Sequence, residues 1–392
     1  MKRWLSRNLL ILTLVSLAQD AASELLYPLL PYIVTAGAIS AAPFVLGLIE
    51  GAAEAAAGFT KLYSGNKSDS IGRKPFVIAG YSIAGFGKAL VVFGTTWGTV
   101  FLGRITDRIG KGMRSAPRDA LIHDSVPRED LGKAFGFHRT GDNVGAVIGP
   151  LIALLGLSLL NNDVRVVAMW ALFPAALSAI LTIFVRENII KQKSEREEKS
   201  ESDITPIPAP LKRAIGVLVV IQLTNIPDAL LLLRLYDLKF SVTSVVIAYA
   251  MYSLVTAIFA FPGGYLADKF SPQIVYAIGL IAFAVAYATL GLTTSKSIAL
   301  IALMIYGIFP ALTDGVGKAW IAQLSESAHR GRAQGIYQAG MNFAVLGAGI
   351  WGGALWASGP QQPVLWLAAL GALLGSIYLG ATWLIKDFTH RR

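Results

Sequence analysis

Long apolar segments separated by short polar loops run through the chain from Leu9 to Ile385. Each is long enough to cross a hydrocarbon core, which takes about 20 residues as a helix. Backbone polar groups find no water in that core, so such segments are restricted to helices that satisfy their own hydrogen bonds. With 392 residues, 54% of them hydrophobic and 15% charged, the chain has room for about a dozen spans joined by short loops. The pattern predicts an all-α, multi-pass membrane protein whose surroundings include a lipid bilayer.

The spans are expected near 9–35, 41–64, 76–94, 97–122, 132–160 and 164–185, and again near 211–233, 242–266, 274–292, 297–316, 331–357 and 364–385. The start, MKRWLSRNLLILTLVSLAQDAAS, has the basic and apolar regions of a signal peptide. Its apolar run resumes after Glu24 through LLYPLLPYIV, so a first membrane helix is the more economical reading. Between the two sets of spans lies ENIIKQKSEREEKSESDITPIPAP, polar and closed by prolines, which reads as a linker with little fixed structure. The expected organisation is an N-terminal half over 1–187, a linker over 188–210 and a C-terminal half over 211–392.

The net charge of +10 does not point to nucleic acid, because the basic residues cluster in loops between apolar spans. Arg165, Arg234, Lys239 and Lys296 fall in the loops of one side, and most other loop Lys and Arg residues in those of the other. By the positive-inside rule the termini and the linker are cytoplasmic, in a cytoplasmic (inner) membrane. The chain contains no cysteine, which excludes disulfides, thiolate nucleophiles and Cys-based metal sites. His123, His138, His329 and His390 show no ligand spacing, so neither a metal nor a cofactor is expected. Gly110-Lys111-Gly112 lacks the Ser/Thr and the upstream glycine of a phosphate loop, and no other catalytic motif is present. An enzyme is not expected.

The fourth span departs from the rest. Over GRITDRIGKGMRSAPRD a helix places Arg104, Asp107, Arg108, Lys111, Arg114 and Arg118 on one stripe about 120° wide. One such side chain facing lipid at mid-bilayer costs roughly 2.5–3.5 kcal/mol even on the lenient insertion scale. The stripe must therefore face protein or a water-filled cavity, although Arg114 and Arg118 can instead snorkel toward headgroups. Acids that could meet it recur at helical spacing: Asp20 and Glu24, with Tyr27 on the same side, in the first span, and Glu50 and Glu54 in the second. These acids either exchange protons or act as fixed counter-ions of Arg104, Arg108 and Lys88. In the fifth span Asp142 lies one turn from His138, where an interhelical hydrogen-bonded pair is expected ahead of a proton relay. Interior charges are fewer in the second half, chiefly Asp228 and Asp314. Gln222, Asn225, Gln338 and Asn342 are its polar candidates, with Tyr252, Trp320 and Tyr337 as aromatic surface.

The two halves repeat. Gly65-Asn-Lys-Ser-Asp69 recurs as Gly264-Tyr-Leu-Ala-Asp268, and GKAFGFHRTGDN recurs as GRAQGIYQAGMN, both about 199 residues on. Asp107-Arg-Ile-Gly-Lys111 echoes Asp314-Gly-Val-Gly-Lys318. Two similar halves around a central site are an architecture of alternating-access transporters.

Over essentially its whole length the chain resembles the major facilitator superfamily. The stretch from Gly65 through Asp69 and Gly72 to Arg73 and Lys74 matches that family's loop motif GxxxDxxGR[RK] between the second and third helices. The resemblance implies a cytoplasmic latch, weaker in the second half because Ser271-Pro272 stand where Gly-Arg would be. Gly136, Gly145, Gly149 and Pro150 match the family's antiporter-type signature, with Ala153-Leu154 in place of its trailing glycines. Arg104 stands where the family places an arginine implicated in proton transfer. The expectations that follow are two six-helix halves and alternating access. Proton-coupled export of small organic, drug-like compounds leads. An organic anion, metal or metal chelate held by the Arg/Lys stripe is the alternative, and a non-transporting receptor or scaffold on the same fold is another. One chain already supplies both halves, so a monomer is expected.

Overall fold

The computed structural model describes residues 5–127, 130–187, 207–325 and 330–390. Among them the chain is helical, with no strand. The first half contains α1 (Arg7–Leu26), α2 (Pro43–Ile71), α3 (Arg73–Phe93), α4 (Trp97–Asp124), α5 (Leu131–Leu159), α6 (Val164–Met169) and α7 (Leu172–Leu181). The second contains α8 (Ala209–Gln222), α9 (Asp228–Asp237), α10 (Val242–Lys269), α11 (Pro272–Leu292), α12 (Lys296–Gln323), α13 (Arg330–Ser358) and α14 (Gln362–His390). Most of the linker lies outside the described residues.

Three of the twelve spans are not single helices. The first continues past α1 through a 3-10 turn over Tyr27–Leu29 and a π-helical turn over Tyr32–Ala36, where Pro28 and Pro31 withhold N–H donors. The sixth is divided between α6 and α7. The seventh, expected as one helix over 211–233, is broken over 223–227 between α8 and α9. Pro227 cannot continue a helix, and Asn225 and Ile226 before it are held extended or turned.

Eight described helices are long and apolar enough to cross a membrane. The four expected spans outside that set are α2, α4, the broken α8–α9 pair and α13, which carry charge, a break or small polar residues. They are also the spans that meet at the centre of the molecule. α2 packs along α13, α4 packs against α2 and α3, and α9 touches α2. Lipid-facing apolarity is thus lowest where a helix has least contact with lipid.

Glycines let these helices approach. A methyl on Gly87 would lie 2.3 Å from Asp107 N and one on Gly110 2.4 Å from Gly80 O, so α3 and α4 meet backbone to backbone. Between the halves, Gly47 and Gly349 oppose each other with clearances of 2.4 and 2.3 Å. This small-residue packing is the usual means of close contact in a bilayer.

The start of α1 and the end of α14 lie on one face, here the terminal face. Asn8 near the start of α1 bonds Ser125 after α4 and Arg186 after α7, and Gln273 at the start of α11 bonds Leu379 and Thr382 in α14. The halves meet at the opposite face, where Phe44 packs on Gly353 and Thr243 Oγ1 donates to Asn162 at 2.8 Å. Toward the terminal face α5 and α10 part. Gly136 and Gly264 have open space where a side chain would be, and nearly every residue of α10 from Ile258 to Lys269 is exposed. The α2–α13 contact continues at Gly58–Asn342 and Leu62–Gly335.

Candidate functional site

The charged stripe of α4 is enclosed by protein. Arg104 and Asp107 are buried at 3% and 2% exposure. Arg104 makes a bidentate pair with Glu50, Nε to Oε1 and Nη2 to Oε2, both at 2.7 Å. Its Nη1 reaches Asp107 at 3.4 Å. Lys88 Nζ donates to the other Asp107 oxygen at 2.5 Å. Arg108 Nε lies 3.0 Å from Glu54 Oε1, a charge contact without an in-line N–H bond. At this level three acids, Glu50, Glu54 and Asp107, stand against three cations, Lys88, Arg104 and Arg108. Mutual pairing offsets the desolvation that each would suffer alone. Such pairs fit the counter-ion reading for Glu50 and Glu54.

Asp20 and Glu24 are different. Glu24 accepts a hydrogen bond from the hydroxyl of Tyr249, which belongs to α10 in the other half, and has no ion pair among the described residues. Asp20 is half-buried, within electrostatic reach of Glu24, Lys111 and Asp142. Lys111 is exposed to the space between the halves, as are Arg139 of α5 and Asp314 and Lys318 of α12.

Neither arginine at the terminal end of the stripe snorkels. Arg114 is buried with its guanidinium 4.4 Å from the Tyr81 ring. Arg118 donates to Ser16 at 2.9 Å and pairs with Asp119. His138 turns to α1, 3.5 Å from both Thr13 and Ser16, an interhelical hydrogen-bonding contact, and lies 3.7 Å from Asp142 one turn on. α5 is pressed onto α1 by Gly141, Gly145 and Gly149, which turns the ring into that helix.

In the second half Asp228 begins α9. Tyr306 donates to one of its oxygens at 2.6 Å and Tyr252 to the other at 2.9 Å. Tyr306 also reaches Asn225 at 3.1 Å. The Tyr252 and Tyr306 rings stack at 5.5 Å and 11°. Tyr249 follows at 5.7 Å from Tyr252, then Tyr27 at 5.5 Å from Tyr249, and the Arg104 guanidinium lies 5.7 Å from the Tyr27 ring. One aromatic line therefore joins Asp228 to Arg104 across the two halves. Gln338 accepts from Lys61, another contact between halves, and Asn342 packs on Gly58. Gln222 is half-buried in the last turn of α8, and Asp314 is exposed without an ion pair among the described residues. Tyr249 and Tyr306 escape the sequence reading. The spacing of Tyr249 and Tyr252 on one helical face was the available signal.

At the loop motif, Gly72 takes φ 120°, a conformation suited to glycine, and turns α2 directly into α3. Arg73 pairs with Asp124 at the end of α4. The carboxylate of Glu187 accepts the backbone N–H groups of Arg73 at 2.6 Å and Lys74 at 3.0 Å, a counter-charge for the N-terminus of α3. These partners all lie in the first half. The surroundings of Gly65 and the side chain of Asp69 lie outside what is described. In the second copy Gly264 is open and Asp268 exposed. Of the antiporter-type signature, Gly145 and Gly149 pack α5 on Leu17 and Ala21 of α1, and Gly136 packs on nothing.

The chain is similar in sequence to an uncharacterized MFS-type transporter of Methanocaldococcus jannaschii, 29% identical over 384 residues, 96% of this chain and 95% of that one. It is 25% identical over 329 residues to the multidrug resistance protein MdtH of Klebsiella pneumoniae, covering 80% of this chain and 79% of the relative. Its fold matches the crystal structure of the nucleoside transporter NupG, with a TM-score of 0.75, 14% identity and coverage of 96% of this chain and 99% of that one. The Major Facilitator Superfamily model matches residues 12–226 and 214–392. With twelve spans in two similar halves around a polar centre, the chain belongs to the major facilitator superfamily of transporters.

Proposed function

We propose that the protein works by alternating access, exchanging protons for small organic compounds and exporting them, with the terminal face on the cytoplasmic side. The carrying observation is Glu24, a carboxylate without an ion pair among the described residues, whose hydrogen-bond donor, Tyr249, sits on the opposing half. Rocking the halves apart at the opposite face, where they are closed in this structure, removes the donor and admits water. The acid's proton affinity must then differ between the two states, which is the condition for coupling. Asp20, one turn away and facing the open space, offers the proton a second stop. Support for export comes from the similarity to a multidrug resistance protein and from the signature glycines of α5. An anionic cargo is less well supported, because Arg104 and Arg108 already carry Glu50 and Glu54.

The test is transport in everted membrane vesicles, energised to acidify their interior, of ethidium, chloramphenicol and taurocholate as cationic, neutral and anionic probes. Accumulation of at least one is expected, abolished by a protonophore and reduced tenfold or more in Asp20→Asn or Glu24→Gln. Accumulation indifferent to the protonophore and to both substitutions contradicts proton coupling.

A further inference from the structure

We infer that the space between the halves holds an organic cation, with Asp228 as its counter-charge and the rings of Tyr252 and Tyr27 as its walls. The inference rests on the transport reading above and names the class of cargo.

The argument begins with charge. Asp107, Glu50 and Glu54 each have a cation within ion-pair distance, whereas Asp228 has none among the described residues. The charged groups that act on it most strongly are Asp314 and Glu50, both acids. Its compensation comes from two tyrosine hydroxyls and from its place in the first turn of α9, where helix N–H groups favour negative charge. Hydroxyls and a helix end hold a carboxylate in place without cancelling its charge. The residual negative potential is turned to the cavity, since Asp228 and Tyr252 are half-buried while Tyr306 behind them is fully buried.

Shape supports the same class. Stacked Tyr252 and Tyr306, then Tyr249 and Tyr27, line the route from Asp228 to the first half. Aromatic faces attract cations, and more strongly where water is excluded. A delocalised cation with apolar substituents matches both elements; Lys111, Arg139 and Lys318, which also face the space, stand beside Asp314 on its terminal side, away from Asp228.

The experiment is equilibrium binding to the purified full-length protein of tetraphenylphosphonium and tetraphenylborate, ions of nearly the same size and shape and of opposite charge. Saturable binding of the phosphonium is expected, at least tenfold tighter than the borate. It should weaken tenfold or more in Asp228→Asn and severalfold in Tyr252→Leu, with Tyr252→Phe retaining most of it. A thermal unfolding scan of each variant identifies misfolding, and in that event the comparison of the two ions on the unmodified protein decides alone. Equal or tighter borate binding, no saturable phosphonium binding, or a folded Asp228→Asn that binds as well as the parent overturns the inference. Phosphonium binding without proton-driven flux would remove the coupling and leave the site. Proton-driven flux of chloramphenicol or taurocholate without phosphonium binding would remove the site and leave the transporter.

Discussion

Arg104 shows how a single residue can be both costly and necessary. Buried at 3% exposure, it is tolerated because Glu50 meets it on two nitrogens and Asp107 on the third. Removing one member of such a pair leaves an uncompensated charge and costs about 3–5 kcal/mol, whereas replacing both by apolar groups of similar volume is close to neutral. Glu50→Gln should therefore lower the thermal unfolding midpoint of the detergent-solubilised protein sharply, and Arg104→Met combined with Glu50→Leu should recover most of the loss. Equal midpoints for parent and Glu50→Gln would mean that the pair contributes little. The need for such partners was legible in the sequence, since six charges on one helical stripe cannot face lipid. Which acid meets which arginine was not legible, because Glu50 lies 54 positions from Arg104 and Tyr249 lies 225 from Glu24. Pairings at that range are settled by helix packing.

Four of the helices that carry the site, α2, α4, α9 and α13, belong to the spans least suited to lipid. Charge in α2 and small polar residues in α13 follow from their places along the inter-half contact, charge in α4 follows from its packing against α2 and α3, and α8–α9 breaks where Asp228 enters the cavity. The apolar pattern located every span but not the break, since a leucine-rich run on either side of Pro227 reads as one segment. The glycine contact between α2 and α13 gives a prediction at this scale. A side chain at Gly349 would begin 2.3 Å from the Gly47 carbonyl oxygen, so Gly349→Val should force the halves apart at the opposite face. The absence of cysteine makes single-cysteine reporters clean. Labelling of Tyr27→Cys by an impermeant maleimide from that side should rise severalfold when Gly349→Val is added, and unchanged labelling would show that this contact does not hold the face shut.

At the scale of the whole molecule, the repeat and the loop motif made the family legible, and family and fold agree with that reading. The motif was less informative about its own action, because Arg73, Asp124 and Glu187 all join parts of the first half. Among the polar side-chain contacts between halves are Glu24 with Tyr249 at the centre and Lys61 with Gln338 toward the terminal face, and neither pair follows from any motif. In the proposed cycle cargo and proton compete through this crossing. Proton release on binding tests it most directly: tetraphenylphosphonium is added to the detergent-solubilised protein in weakly buffered solution at a pH where the parent binds it, and the pH change is recorded. The account predicts release of protons in proportion to bound probe, lost in Glu24→Gln combined with Asp20→Asn while binding persists. Saturable binding that releases no protons from the parent across pH 5 to 9 would contradict it.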